Sequence, residues 1–275
     1  MTIVRHLSIA LAAALSVAPA WAEPGPSVPL VVSPARSTTM VIWLPKQVRG
    51  VVLFSTGHGS WPERYDAVAT AWRDAGFAVL APVHVDSMHY PDRAKFTMQA
   101  SFMERIADQR AAIAYAARTW PGKPVVAAGH SFGTLIALCL GGGLAQIAPF
   151  REPAVKAVLG FSSPGKIPGL IGDGAYATDA LPMMVVTGDA DVVPGFVSDW
   201  HDHLFPVQSA PAGDKFALSY RGGSHELIGK ADAPGHADAI AQSVLFLKAY
   251  GLGDTAARKK LAKAADTPQA TWLRR

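Results

Sequence analysis

The sequence predicts an α/β fold: a mostly parallel central sheet with helices on both faces and no large cap domain. Three observations carry that expectation. Short apolar runs of strand length alternate with longer helical patterns between residues 38 and 250. Several of those runs are apolar at consecutive positions, the mark of strands covered on both faces. The 275 residues are 50% hydrophobic and 17% charged, without repeats or low-complexity tracts, which suits one large core in a single domain over 23–275.

The elements follow in order. Residues 28–36 form a proline-containing lead-in. Residues 38–44, rich in β-branched and apolar side chains, read as a strand, and 51–55 as a second, buried one. Residues 65–75 have helical spacing and stop at Gly76, a C-cap glycine. A buried strand follows over 77–82. Residues 102–119 form a strong helix with Glu104, Asp108 and Gln109 set against Ile106, Ile113 and Ala116. Strand 124–128 precedes a helix running from Ser131 through Leu140 to three glycines. Strands follow over 155–161, 183–187 and 216–220. The stretch 163–182 is a proline- and glycine-rich loop with no room for a large cap. The last long helix covers 237–250, and a basic helical tail ends the chain.

The ends of the chain bear on location. Arg5 and His6 precede an apolar run over 7–17, too short to span a bilayer, and Ala20-Trp21-Ala22 sets small residues where a signal peptidase reads. The expectation is a signal peptide over 1–22, a periplasmic or secreted protein, and no stable membrane span after processing; an N-terminal anchor is the alternative. The formal charge of +4 includes Arg5 and drops to +3 without it. Arg258, Lys259, Lys260, Lys263, Arg274 and Arg275 read as a solvated helix face. No basic patch interleaves with aromatics, so nucleic acid is not an expected partner. Cys139 is the single cysteine, which excludes an internal disulfide, and its apolar setting reads as a buried, unreactive thiol. No dinucleotide fingerprint or phosphate loop is present, so no cofactor is expected. His201 and His203 lack a third ligand at a suitable spacing; they read as a polar surface, with no metal.

Chemistry concentrates at Gly129-His130-Ser131-Phe132-Gly133. The pentapeptide joins a buried strand to an apolar helix, the setting in which G-x-S-x-G forms a sharp turn that lifts a serine Oγ above the sheet edge. The helix N-terminus beneath it favours developing negative charge. A serine nucleophile needs a base and an orienting acid, on loops after later strands. His225, after Arg221-Gly222-Gly223-Ser224, fits the base better than His201, His203 or His236, the last read as a surface residue at a helix start. Asp189 and Asp191 compete as the acid. Asp191 lies deeper in its loop, whereas an aspartate beside a turn glycine commonly caps backbone, so Asp191 is preferred. Stabilising an oxyanion takes backbone donors: the N–H of Phe132, and one from Thr56-Gly57-His58-Gly59-Ser60. His58 is the expected second donor, Gly59 its rival; the His58 ring is a further alternative. Trp61, Tyr90 and Trp200 read as ordinary packing or as cleft lining. His84, Asp86 and His89 either shape the cleft or satisfy loop backbone.

Gly-His-Ser-Phe-Gly at 129–133, Gly-Asp-Ala-Asp-Val-Val-Pro at 188–194 and Gly-Gly-Ser-His at 222–225 together resemble the α/β-hydrolase superfamily. Segments 51–59, 81–87 and 210–216 are similar to its dienelactone-hydrolase-like serine esterase branch. The likeness spans about 51–250. It implies the α/β-hydrolase fold, a triad of Ser131, Asp191 and His225, and cleavage of carboxylic esters through an acyl-enzyme. The chain departs in having serine where dienelactone hydrolases have cysteine, and Ser55-Thr56-Gly57 where many relatives read Ser-His-Gly. The expected substrate is a small-molecule or extended ester held in a modest apolar cleft; the oligomeric state is not legible. Alternatives are an amidase or peptidase using the same triad, and an inactive hydrolase-fold binding protein.

Overall fold

The computed structural model describes residues 26–275; the expected leader over 1–22 lies outside the described residues. Consecutive apolar residues build the central strands β3 (Gly50–Ser55), β4 (Phe77–Pro82), β5 (Val125–His130), β6 (Val155–Phe161), β7 (Met183–Gly188) and β8 (Lys215–Tyr220). Two strands precede them, β1 (Ser27–Ser33) and β2 (Arg36–Trp43), and one follows, β9 (Ala270–Arg274). All nine form one sheet in the order β1-β2-β4-β3-β5-β6-β7-β8-β9. Pairing is parallel from β4 through β8 and antiparallel at both ends.

Alternate side chains of each strand feed two cores. Val52 and Phe54 point to one face, Val51 and Leu53 to the other. The first face is covered by α1 (Asp66–Asp74) through Val68 and Trp72, and by α5 (His236–Phe246) and α6 (Thr255–Ala262) through Ala239, Phe246 and Leu261. The second is covered by α2 (Met98–Thr119), α3 (Phe132–Gly141) and α4 (Phe205–Ser209) through Ile106, Ile136 and Val207. Helices on both sides of a largely parallel sheet are the architecture the alternating pattern implies.

Four sequence expectations change. The lead-in is strand β1, whose alternating exposure marks a half-solvated edge. Helix α2 starts at Met98 rather than 102, because the Thr97 side chain accepts the Ala100 N–H and caps it. The tail is helical only to Ala262; the chain then returns as β9, which pairs antiparallel with β8, so Arg274 belongs to a strand. Finally, His236 is buried and hydrogen-bonds the Leu227 carbonyl at 2.8 Å, where the sequence suggested a surface position. Among the described residues, no helix is long and apolar enough to cross a membrane.

Candidate active site

The loops leaving the carboxyl ends of β3, β5, β6, β7 and β8 meet at one rim of the sheet, where parallel α/β folds open a crevice. Ser131 stands between β5 and α3 at φ 54°, ψ −121°, a conformation that costs a non-glycine residue energy and that its surroundings must enforce. The flanking glycines allow this. A Cβ on Gly129 would lie 2.1 Å from the Gly133 carbonyl oxygen, and one on Gly133 would lie 1.9 Å from that of Ser55. Strand, turn and helix thus close to a distance that no side chain permits.

Asp191, on the loop after β7, is fully buried. One oxygen accepts from Ser162 Oγ (2.5 Å) and Thr187 Oγ1 (2.8 Å). The other accepts from His225 Nδ1 at 2.8 Å. Its rival Asp189 is exposed and accepts the Gly222 N–H at 2.6 Å. Burial alone raises a carboxyl pKa, but hydrogen bonds and charge from His203 and His225 outweigh it and hold Asp191 far below the ordinary range.

His203 belongs to this cluster, not to a polar surface. Its ring is fully buried, with Nε2 2.9 Å from the Asp191 carbonyl oxygen and 3.1 Å from Oδ1, while Nδ1 faces the Ser163 carbonyl. Acceptors at both nitrogens favour the doubly protonated ring. Burial pushes its pKa down, Asp191 pushes it up, and the net shift is upward. Ligand-type atoms of Asp191, His203 and His225 lie within 4.8 Å of one another. Each histidine nitrogen that faces Asp191 serves as a hydrogen-bond donor, so the set does not fit a cation as it stands.

Ser131 and His225 line the same cleft without a direct hydrogen bond between them. His130 links their surroundings: its Nε2 donates to the His225 carbonyl at 2.9 Å, and its Nδ1 accepts from Tyr65 at 2.9 Å. Burial, then the nearby His225, pushes the His130 pKa down to about 3, so this ring stays neutral. Of the candidate donors after β3, Gly59 N–H is taken by Asp86 Oδ2 (3.0 Å) and Gly57 N–H by the Tyr65 hydroxyl (3.3 Å). The N–H groups of His58 and Phe132 meet no acceptor among the described residues. The His58 ring is held at 2.9 Å by Asp86.

Residues 46–157 match the family described as serine aminopeptidase, S33. Among solved structures, an alpha-beta serine hydrolase homologue from Coxiella burnetii superposes with a TM-score of 0.58 at 15% identity, covering 83% of this chain and 99% of that one. The chain has the α/β-hydrolase fold. An esterase domain from Rhodothermus marinus (TM-score 0.58, 15% identity, 82% and 98% covered) and the apo form of Thermogutta terrifontis esterase 2 (0.61, 14%, 83% and 96%) share the fold. No curated protein matches. The narrower likeness to dienelactone-hydrolase-like esterases is carried by the sequence motifs alone.

On this α/β-hydrolase scaffold the rim opens into a cleft of about 1140 Å³, larger than the modest one expected. Apolar side chains from α2 (Met98, Phe102, Met103) and from the loops after β6 and β7 (Ile167, Leu170, Phe196) form most of its walls. Trp61 lines it too, stacked on His89, whereas Tyr90 lines a separate surface cavity and Trp200 stacks on His201. Cys139 is buried away from the cleft, and burial pushes its thiol pKa up. Sequence reasoning missed Ser162, Thr187, His203, Tyr65 and the second role of His130. Ser162, His203, Tyr65 and His130 act through partners distant in sequence, so no local spacing signals them, whereas Thr187 bonds Asp191 only four residues on.

Proposed function

We propose that the protein hydrolyses carboxylic esters through an acyl-enzyme on Ser131, with His225 as the base and Asp191 as its orienting acid. The observation that carries this reading is the 2.8 Å bond from His225 Nδ1 to a buried, ionised Asp191, with His225 and Ser131 lining one cleft. Ser131 Oγ attacks the ester carbonyl carbon while its proton passes to His225 Nε2. The carbonyl oxygen becomes an oxyanion, met by the free N–H groups of Phe132 and His58. Collapse expels the alcohol, which takes the proton from His225. Water, deprotonated by the same ring, then attacks the acyl carbon and releases the acid, restoring Ser131. No cofactor enters these steps.

The matched family is described as serine aminopeptidase, and the cleft argues against that activity here. Recognition of a free α-ammonium group needs an available carboxylate. Among the described residues, the one carboxylate lining the cleft, Glu226, is paired with Arg64. The apolar walls instead suit an ester with a sizeable hydrocarbon part. The start of the chain, Arg5 through Ala22, supports export to the periplasm or the medium, and a single domain over 23–275 is part of the same proposal.

Labelling with a fluorophosphonate, followed by a substrate panel, tests the reading. Wild type labels and Ser131→Ala does not, with ester turnover falling by about 10⁴-fold or more. From acetate to octanoate p-nitrophenyl esters, kcat/KM rises by up to about fourfold per methylene, the equivalent of ~0.8 kcal/mol per buried CH₂. Absent or Ser131-independent labelling supports a binding protein and ends the proposal. Faster turnover of aminoacyl anilides than of matched esters supports the peptidase alternative instead.

A further inference from the structure

Under the oxyanion loop lies a buried ion pair outside the proposed triad. Arg105, on α2, is 0% exposed, and each of its five N–H bonds has a partner. Nε donates to Asp86 Oδ1 (2.8 Å) and Nη2 to Asp86 Oδ2 (2.7 Å). The remaining donors reach the end of β3 and the loop after it: Nη1 to the Thr56 carbonyl (2.6 Å) and Ser55 Oγ (3.3 Å), and Nη2 to the Gly57 carbonyl (3.0 Å). The guanidinium also lies over the Phe132 ring, 4.6 Å from its centroid.

Peptide geometry gives this arrangement a consequence. No cis peptide occurs among the described residues, and in a trans peptide the C=O and N–H point opposite ways. Holding the Gly57 carbonyl toward Arg105 therefore turns the His58 N–H away from it. The Gly57–His58 peptide stands beside the nucleophile: Gly57, His58 and Ser131 line the same cleft, and a Cβ on Gly57 would lie 3.6 Å from the Ser131 Cβ. Asp86 completes the selection by taking the Gly59 N–H, the rival donor, and by holding the His58 ring. One guanidinium thus touches both halves of the proposed oxyanion hole, through the Gly57 carbonyl and through the side chain of Phe132.

We propose that Arg105, braced by Asp86, is a positioning residue that pre-aims the His58 N–H at the reacting carbonyl oxygen. It touches neither substrate nor nucleophile; it sets the orientation of a donor. A second layer braces it in turn. Ser55 Oγ bonds His84 Nε2 at 2.9 Å, His84 Nδ1 bonds Asp108 Oδ2 at 2.8 Å, and Asp108 pairs with Arg36 at 2.6 Å. The inference rests on the ester-hydrolase reading, since only there does the donor have an oxyanion to meet.

Arg105→Lys keeps the charge but cannot hold two consecutive carbonyls and a bidentate carboxylate together. Asp86→Asn is the second variant, keeping Arg105 while weakening its brace and the hold on Gly59. Kinetics are normalised to sites titrated with the fluorophosphonate, so that partial unfolding is not mistaken for lost catalysis. The expected result for Arg105→Lys is a kcat lower by about 10²-fold, the size of one lost oxyanion donor, with KM within about threefold. Inhibition by butylboronic acid, whose tetrahedral adduct places an oxygen in the hole, weakens by a similar factor. Asp86→Asn moves both readouts in the same direction by a smaller amount.

A folded Arg105→Lys with kcat and boronate inhibition within threefold of wild type overturns the inference, as does a change confined to KM. Should Arg105→Lys not fold, the same pair of readouts on Asp86→Asn decides. Wild type that neither turns over esters nor labels overturns the ester-hydrolase reading itself, a result separable from either variant outcome.

Discussion

At φ 54° and ψ −121°, Ser131 is held where a Cβ is unwelcome, and such residues cost about 1–3 kcal/mol. Removing the hydroxyl leaves that cost in place; removing the Cβ relieves it. Ser131→Gly is therefore expected to be more stable than Ser131→Ala by about 1 kcal/mol in urea unfolding, with both variants devoid of esterase activity. Equal stability of the two would mean that the elbow stores no strain. Much at this scale was legible in the sequence. The pentapeptide located Ser131, and loop depth preferred Asp191, which is buried, over Asp189, which is exposed and spends itself on the Gly222 N–H. What escaped was every group that acts through a distant partner. His203 meets Asp191 only because the 3₁₀ turn Trp200–Leu204 folds back against β7, a contact without any sequence spacing.

Helix α2 shows the same limit for an element. The sequence sets Glu104, Asp108 and Gln109 against an apolar stripe of Ile106, Ile113 and Ala116, the pattern of an amphipathic helix. Instead Arg105, Asp108 and Gln109 are buried, facing the loop after β3 and the strands beside it. Hydrophobic periodicity reports which residues dislike water, not which charges have found partners. The structure assigns those charges to pairs: Asp108 with Arg36 and His84, Arg105 with Asp86. Breaking one from a single side leaves a buried charge uncompensated. Asp108→Ala is expected to lose about 3–5 kcal/mol of stability, against less than about 0.5 kcal/mol for Arg118→Ala at an exposed position of the same helix. Chemical denaturation of the two variants checks this, and a mild effect of Asp108→Ala would return α2 to an ordinary amphipathic helix. Strand β9 was unreadable for a different reason. Edge strands are short and half-exposed, and the polar residues before this one resemble a tail.

Over the whole molecule, the parallel core was legible because its strands are apolar at consecutive positions, and that core carries every loop of the site. The balance of buried charge was not legible, and it controls how the fold responds to pH. Asp179, in the loop after β6, is fully buried with neither oxygen hydrogen-bonded among the described residues; burial, opposed by Lys215, pushes its carboxyl up to about 7 from an ordinary 3.8. A raised carboxyl binds its proton more tightly in the folded state, so stability falls as pH climbs from about 4 to about 7 and stays low above that. Buried His130, pushed down to about 3, has the opposite slope below 6.5, because the unfolded chain takes up its proton first. The two slopes overlap, so the wild-type profile alone does not isolate the carboxyl, whereas a difference between variants does. Asp179→Asn cannot ionise and escapes the alkaline penalty while leaving His130 untouched. Its unfolding free energy relative to wild type is expected to be near zero or negative at pH 4, to climb through neutrality, and to level off above pH 8, with an upper bound of about 4 kcal/mol from the shift in pKa. A pH-independent difference would place the Asp179 proton in the ordinary range and remove this carboxyl from the charge balance of the fold.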